Sequence, residues 1–427
     1  MGSTLFSWKK QKEKSKKEED EHHKSADADL AETAAKTAST VDENPSNSAL
    51  NPQASDTSKP SIDLHDIESY QHPIVFPPHM PPPIVHDGPV RVCIDMDTYI
   101  RTKPIDEESC FDWWTYNGGS PGPIIRIRLG DVLEIHFTNK DQTGMQHNID
   151  FHAVEGPGGG SSLLTINQGQ KKIALFKPLR AGLFLYHCAM APAPVHLAQG
   201  MYGCVLVEPE GGLQPPAQRE YCIVQAELYT SERIDEKEPI VYIGPDEEEN
   251  REKIENELKG LSRLDMDIEA GVREKATYVL FNGMKGAEGY SFPEHTDTSI
   301  DLAKDALLAK PGDNIRIFFV NAGPNLVSSF HLIGGCWDRV WREADFVSAP
   351  AQAIQTTLVP AGGCAVVDFQ PHVPGTYTMV DHSLFRIEKG AVKFIHVKGD
   401  PLSRPDLYAS GSGHGLENCD ACKLHPK

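Results

Sequence analysis

Hydrophobic positions between residues 89 and 213 fall into short runs separated by Gly, Pro, Asn or Asp. The runs are VRVCIDM, IIRIRL, VLEIHF, KKIALF, LFLYH and GCVLVEP. Several of them alternate apolar and polar residues, which is the period of a strand with one buried face. Because turn-forming residues recur between the runs, the pattern predicts an antiparallel β-sandwich.

A second series of similar runs occupies residues 214–400. Its members are YCIVQAELY, ATYVLFNG, NIRIFFVN, AVVDFQ, GTYTMV and AVKFIHV. Two short motifs repeat between the series, since YNG at 116–118 precedes LGD at 129–131 and FNG at 281–283 precedes PGD at 311–313. We therefore predict an all-β protein with two tandem sandwich domains, 89–213 and 214–400.

The remaining segments differ in composition from these two series. Residues 1–60 are rich in Lys, Glu, Ser, Ala and Asp and predict a disordered polar tail, because they contain too few apolar side chains to form a core. Residues 61–88 contain FPPHMPPP and predict an extended, Pro-rich lead-in. The charged stretch near 246–264 predicts a helical insertion in the second domain, and residues 401–427 form a polar C-terminal tail.

Composition narrows the partners and the compartment. A length of 427 residues allows two or three domains, and the net charge of −20 argues against nucleic acid as a partner. No stretch approaches the roughly 20 apolar residues of a membrane span, and no apolar segment of a signal peptide follows the first lysines. Nine irregularly spaced cysteines are typical of a chain with reduced thiols. By these features alone the sequence predicts a cytoplasmic protein.

Histidines concentrate with sulfur-containing residues between positions 147 and 201. His147, Cys188, His196 and Met201 supply two imidazoles, one thiolate and one thioether. This is the donor set of a type 1, or blue, copper site. The last three residues lie in one loop between two predicted strands, so the sequence predicts a type 1 copper centre there.

Two further histidines indicate a second metal site. His187 is the neighbour of Cys188, and successive side chains of a strand point to opposite faces, so the two residues would bind different metals joined by a covalent path. His152 would be a second ligand of the same site. A catalytic copper with three histidines keeps one position open, but the residues alone do not identify the third ligand.

Residues 88–400 resemble the copper-containing nitrite reductases of the multicopper oxidase superfamily. Beyond the copper loop, the resemblance rests on PGPIIRIRLGD at 121–131, FHLIGGCWDRVW at 330–341 and VDHSLFRIEKGA at 380–391. It implies two cupredoxin domains, each a Greek-key β-sandwich, and the one-electron reduction of nitrite to nitric oxide and water. It also implies one type 1 and one type 2 copper per subunit, with electrons passing from the first to the second.

The resemblance also implies roles for individual residues. The implied type 1 ligands are His147, Cys188, His196 and Met201. The implied type 2 ligands are His152, His187 and His382, the last from a neighbouring subunit of a homotrimer. Asp150 and His331 correspond to the pair that handles protons. The implied electron donor is a small cupredoxin or a cytochrome c.

The expected reaction agrees with the types of these residues. Nitrite needs one electron and two protons to give nitric oxide and water, so acids must lie beside the metal. Asp150 lies two residues before His152, which on a strand would place both side chains on one face. His331 would supply the second proton, because imidazole titrates near neutral pH.

Some features depart from the family pattern, and two other functions are possible for a cupredoxin chain. The loop AMAPAPV lacks the Trp of many relatives, and most relatives are exported although no export signal is visible here, so the compartment stays unknown. A laccase-like multicopper oxidase would need His-x-His pairs for a trinuclear cluster, where this chain has HNIDFH and HCA. An electron carrier with only type 1 copper would leave Asp150, His152, His187 and His382 without a role.

Overall fold

The computed structural model describes residues 64, 67–232, 240–286, 306–400 and 403–407, all within one compact unit, Ile62–Lys427. The predicted N-terminal tail and most of the predicted C-terminal tail lie outside the described residues. Among the described residues, no helix is long and apolar enough to cross a membrane.

Short strands make up most of the described chain. The first nine are β1 Ser69–Gln71, β2 Arg91–Pro104, β3 Ser109–Tyr116, β4 Ile124–Arg128, β5 Val132–Asn139, β6 Asp150–Phe151, β7 Lys171–Phe176, β8 Gly182–His187 and β9 Tyr202–Glu208. The others are β10 Arg219–Leu228, β11 Thr230–Glu232, β12 Ser262–Met266, β13 Tyr278–Phe281, β14 Ala306–Ala309, β15 Ile315–Gly323, β16 Ser328–Ile333, β17 Trp337–Arg342, β18 Ala351–Ile354, β19 Thr356–Val359, β20 Cys364–Phe369, β21 Gly375–Asp381 and β22 Val392–Val397.

Helices are short and lie between strands. The α-helices are α1 Ala193–Ala198, α2 Arg251–Leu258 and α3 Ile268–Val272, and the 3-10 helices are Pro157–Leu163, Glu248–Asn250 and Leu384–Arg386.

The strands form two sandwiches. In the first, a seven-stranded sheet ordered β11-β12-β3-β2-β5-β7, with β1 beside β2, accompanies a four-stranded sheet ordered β4-β9-β8-β6. In the second, a six-stranded sheet ordered β13-β10-β15-β20-β17-β18 accompanies a five-stranded sheet ordered β14-β22-β21-β16-β19. The prediction of an all-β fold with two sandwich domains is confirmed.

Each sandwich has its own apolar core, and a third apolar cluster joins the two. In the first sandwich, Ile94 of β2 and Val205 of β9 belong to one cluster, so both sheets contribute to the core. The joining cluster includes Leu185 of β8, Val224 of β10 and Phe318 of β15. The four-stranded sheet of the first sandwich therefore packs against the six-stranded sheet of the second.

The repeated YNG and FNG motifs have the same structure in both sandwiches. Asn117 and Asn282 adopt positive φ angles of 53° and 57°. The side-chain oxygen of Asn117 accepts a hydrogen bond from the Asp97 N–H, and that of Asn282 accepts one from the Val224 N–H. Asn tolerates this left-handed conformation and bonds to nearby backbone, which explains the residue type at both turns.

The predicted helix near 246–264 is shorter in the structure. The helix α2 ends at Leu258, where Lys259 is extended and Gly260 has a φ of +89°. The chain then forms β12, in which Ser262 lies opposite Ser109 of β3 in a parallel pair. This insertion therefore extends a sheet of the first sandwich, and the domain boundary at 213/214 stays a prediction.

Candidate metal centres

Three predicted type 1 ligands lie together in the interior of the first sandwich. The Sγ atom of Cys188 lies 3.4 Å from Nδ1 of His196 and 4.0 Å from Nδ1 of His147. One nitrogen or sulfur atom from each lies within 4.8 Å of the others, and all three side chains are buried. Within the described residues no other set of three His, Cys, Asp or Glu side chains meets this criterion. We call these three residues the donor cluster.

The backbone around the donor cluster explains its geometry. His147 forms an isolated bridge with Ile166, and Cys188 follows the last residue of β8. The Cys188 N–H donates to the Met201 carbonyl at 3.1 Å, and the Met201 N–H donates to the His196 carbonyl at 3.2 Å. These two bonds close the loop, so Met201 is fully buried in the same apolar core as Cys188.

The surroundings of the donor cluster favour a neutral His196 imidazole and a protonated Cys188 thiol. Burial lowers the pKa of His196 to about 4, with the nearby His147 as a second cause. Burial also raises the pKa of Cys188 to about 11. A cation bound among these atoms would favour the thiolate, because a positive charge stabilises the deprotonated form. The two nitrogens and one sulfur thus fit a soft or borderline transition metal such as copper.

The four histidines of the predicted second site lie in two pairs within one chain. The rings of His152 and His187 have centroids 5.2 Å apart, and those of His331 and His382 have centroids 4.8 Å apart. His152 and His382 are exposed, and His187 and His331 are half-buried. A single chain thus places His382 with His331, and no trio of His152, His187 and His382 is among the metal-binding groups of the described residues.

Asp150 lies beside the pair of His152 and His187, but strand alternation is not the reason. The strand β6 ends at Phe151 and His152 lies in a turn, so strand alternation does not align Asp150 with His152. Instead, Asp150 lies directly opposite His187 in the antiparallel pair of β6 and β8. Opposed residues of antiparallel strands point to the same face, so Asp150 and His187 share one face of the sheet.

A glycine turn that the sequence analysis did not single out packs against Asp150. Gly159 has a φ of +52°, and a Cβ there would collide with the Asp150 carboxylate and with the backbone of Phe151. Only glycine combines this conformation with so close an approach. The Gly-rich run at 156–160 was the available signal, and its contact with Asp150 depends on the tertiary fold.

Other residues at the sites also escaped the sequence analysis. The His331 Nδ1 lies 2.8 Å from the Gln355 carbonyl oxygen and 3.2 Å from the Thr356 hydroxyl. The Asn148 side-chain oxygen accepts a bond from the Ala189 N–H at 2.8 Å. Adjacency to His147 was a signal for Asn148. Gln355 and Thr356 had none, because they lie more than 20 residues after His331, at the start of β19.

The ring of Trp114 and the carboxylate of Asp141 complete the wall of the donor cluster. Trp114 packs edge-on against His196 with ring centroids 4.8 Å apart. The Nε2–H of His147 donates to Asp141 Oδ2 at 2.8 Å. Burial by itself would raise the pKa of Asp141, but hydrogen bonds from His147 and Thr143 outweigh burial, and the pKa is lowered.

Comparisons with known proteins agree with this geometry. A family model described as multicopper oxidase matches residues 100–212. The copper-containing nitrite reductase of Neisseria meningitidis serogroup A is 39% identical over 324 residues, covering 75% of this chain and 73% of the relative. The copper-containing nitrite reductase of Cereibacter sphaeroides is 31% identical over 344 residues, covering 79% of this chain and 85% of that protein.

A solved structure of a copper nitrite reductase is also similar to this chain. The copper nitrite reductase of Nitrosomonas europaea is similar with a TM-score of 0.56 and 31% sequence identity, over 72% of this chain and 95% of that chain.

Proposed function

The chain belongs to the copper-containing nitrite reductase family, and we propose that it reduces nitrite to nitric oxide and water with one electron and two protons. The observation that carries this proposal is the buried donor cluster, whose two imidazoles and one thiol are the donors expected for type 1 copper. The relatives with at least 30% identity carry copper and nitrite reduction in their names.

We assign the ligands of two copper ions per subunit. The proposed type 1 ligands are His147, Cys188, His196 and Met201. The proposed type 2 ligands are His152, His187 and His382. Copper, when bound, supplies one-electron redox chemistry at both sites and a positive charge that attracts the nitrite anion at the second. Because His187 and Cys188 are adjacent, the peptide between them offers a short covalent path for the electron.

Two side chains hold the protons for the reaction. Asp150 shares a sheet face with His187, so its carboxyl group can deliver a proton beside the second site. The contact of His331 Nδ1 with the Gln355 carbonyl requires a proton on Nδ1. The ring can then gain or release a second proton at Nε2, and His331 is the proposed donor of the second proton.

The second site is proposed to be shared between subunits of a homotrimer. Within one chain, His152 pairs with His187 whereas His382 pairs with His331, as a shared site requires. Apolar side chains beside His382 are exposed, with Leu384 at 51% and Phe385 at 89%. Exposed apolar side chains next to a ligand suit an interface with a second copy of the chain.

The electron donor is proposed to be a small cupredoxin or a cytochrome c. The type 1 loop from Ala189 to Val195 is partly solvent-accessible, and Met190 packs at the rim of the core that contains Cys188. A small redox protein could therefore approach the donor cluster through this loop.

Copper content, electron paramagnetic resonance and nitrite turnover test the function. We expect two copper ions per chain with two distinct signals, and nitric oxide from nitrite in the presence of a reductant. One copper per chain with only the type 1 signal would instead indicate an electron carrier. Oxygen reduction without nitrite reduction would indicate a laccase-like enzyme.

The substitution Asp150→Asn tests the proton role. The amide keeps the size of the side chain but cannot deliver a proton, so both coppers should remain while turnover falls about a hundredfold or more. Asp95→Asn, an exposed carboxylate of β2, is the control and should keep the wild-type rate. Wild-type turnover of Asp150→Asn across acidic pH would overturn the role.

Mixing two inactive variants tests the shared site. His152→Ala and His382→Ala subunits each lose one ligand. In mixed trimers, some interfaces pair an intact first domain with an intact second domain, so type 2 copper and activity should partly return. If His382 served its own chain, every subunit would stay defective and mixing would restore nothing. A fully active monomer would also contradict the shared site.

A further inference from the structure

A buried carboxylate lies directly behind one proposed copper ligand. The two nitrogens of His147 face opposite ways, because Nδ1 points to Cys188 Sγ whereas Nε2–H donates to Asp141 Oδ2 at 2.8 Å. Asp141 is 1% exposed and His147 is 0% exposed. The carboxylate therefore contacts the ring on the side away from the donor cluster, in a region that excludes water.

The local chain fixes the position of this carboxylate. Both the N–H and the hydroxyl of Thr143 donate to Asp141 Oδ1 at 2.5 Å. The Asp141 N–H donates to the side-chain oxygen of Asn139 at 2.9 Å. One carboxylate oxygen is thus held by the loop, and the other is directed at His147.

The second sandwich contains the same set of asparagine-to-backbone hydrogen bonds, but without the carboxylate. The side-chain N–H groups of Asn139 donate to the carbonyls of Met145 and Ile166, and those of Asn321 donate to the carbonyls of Leu326 and Val359.

The residue two positions after each asparagine differs between the sandwiches. The Gly323 N–H donates to the Asn321 side-chain oxygen at 3.1 Å, as the Asp141 N–H does to that of Asn139. Gly323 therefore occupies the position of Asp141. These asparagine hydrogen bonds therefore form without an acidic residue at this position. The acidic residue, Asp141, is present only in the sandwich of the two that holds the donor cluster.

We propose that Asp141 is a positioning residue that orients His147 and lowers the reduction potential of the type 1 copper. The hydrogen bond keeps the proton on Nε2, so Nδ1 is free to bind the metal. A carboxylate bonded to the far nitrogen of a ligating histidine makes the imidazole a stronger donor. Its negative charge also favours the oxidised ion, which carries one more positive charge than the reduced ion, and burial strengthens this interaction.

The inference rests on the proposed copper centre and is tested by redox titration of the visible absorption. Asp141→Asn keeps the shape and an acceptor oxygen but removes the charge. At a given applied potential, the ratio of oxidised to reduced copper should fall about tenfold, which corresponds to 59 mV for one electron.

The matched control is Asp131→Asn. Asp131 is also buried, accepts bonds from the N–H groups of Val90 and Arg128, and lies at the opposite end of β5, about 25 Å away along the strand. This variant should lose stability without a change in potential. Equal potentials for wild type, Asp141→Asn and Asp131→Asn would overturn the proposal.

Thr143→Val provides a second test if Asp141→Asn does not load copper. Valine removes the hydroxyl group that donates to Asp141 Oδ1, so the carboxylate keeps its charge but loses one hydrogen bond. The reduction potential should therefore fall, whereas Asp141→Asn raises it, and the shift should be smaller. An unchanged or raised potential would overturn the role of Asp141. A wild-type protein that shows no thiolate-to-copper absorption would instead contradict the proposed copper centre, which keeps the two failures distinct.

Discussion

The loop that carries Cys188 and His196 in the first sandwich has a counterpart of different chemistry in the second. In the first, the Cys188 N–H donates to the Met201 carbonyl at 3.1 Å. In the second, the Asp381 N–H donates to the Ala391 carbonyl at 3.3 Å. Cys188 directly follows β8 and Asp381 is the last residue of β21, so each begins its loop and the two residues correspond.

A second backbone bond extends the correspondence. The Met201 N–H donates to the His196 carbonyl at 3.2 Å, and the Ala391 N–H donates to the Arg386 carbonyl at 3.0 Å. Arg386 therefore occupies the position of His196. Its guanidinium lies 2.5 Å from the Asp381 carboxylate, so the second sandwich has an ion pair where the first has the donor cluster.

This difference shows two ways to satisfy polar groups in the same part of a sandwich. In the second sandwich, Asp381 also accepts bonds from Gln225 and from the N–H groups of Ser329 and Ser383. Its buried charge is thus balanced by a side chain of the same protein. In the first sandwich, the neutral His196 occupies the position of Arg386. The cation that completes this site must therefore come from solution.

The largest effect is expected for Cys188→Ala. Removing the sulfur should abolish the intense visible absorption and turnover with external donors, because a thiolate ligand produces the colour and receives the electron. Absorption spectra and nitrite assays measure both. Cys364→Ala, at a buried cysteine outside the donor cluster, is the control and should keep the colour. A coloured Cys188→Ala protein would refute the assignment of Cys188 as a type 1 copper ligand. It would also refute the contrast between the two loops.

The next largest effect is expected for Asp381→Ala. This change leaves Arg386 without its buried partner and several donors without an acceptor, so it should cost about 3–5 kcal/mol of folding free energy. Denaturant unfolding of the copper-free protein measures it. Glu388→Ala, at an exposed carboxylate of the same loop, should change stability by no more than about 0.5 kcal/mol. Equal stability of Asp381→Ala and Glu388→Ala would contradict the stabilising role of the Asp381–Arg386 ion pair in the second sandwich.

The smallest effect concerns acid and the first sandwich. His72 is buried, and its Nε2 accepts a bond from the Arg126 N–H at 3.0 Å. Burial lowers the pKa of His72 from 6.5 to about 4. The unfolded chain therefore binds the proton first, and folding stability falls as the pH drops from about 6.5 to about 4, by up to about 3 kcal/mol.

The substitution His72→Gln isolates this contribution. Glutamine can still accept from the Arg126 N–H but does not titrate, so the variant should lose less stability over this pH range. Unfolding of copper-free wild type and variant at several pH values measures the difference. Identical pH slopes would show that His72 does not make the first sandwich acid-sensitive.

The amino-acid sequence by itself determined the strand series and the type 1 donor set. Strand alternation depends on neighbouring residues, and the YNG and FNG turns depend on the local preference of asparagine for positive φ. Cys188, His196 and Met201 lie within one loop, so their spacing alone was sufficient to predict them as donors, and the structure brings Cys188 and His196 together with His147.

The tertiary structure decided contacts between distant parts of the chain. The strand β12 pairs with β3, His331 lies beside His382, and Asp381 meets Arg386 in the position that His196 occupies in the first sandwich. Which elements pack together depends on burial and hydrogen bonding across the whole fold, and local sequence patterns do not contain this information. For the same reason, Asp141 could be recognised behind His147 only once the loop around them was folded.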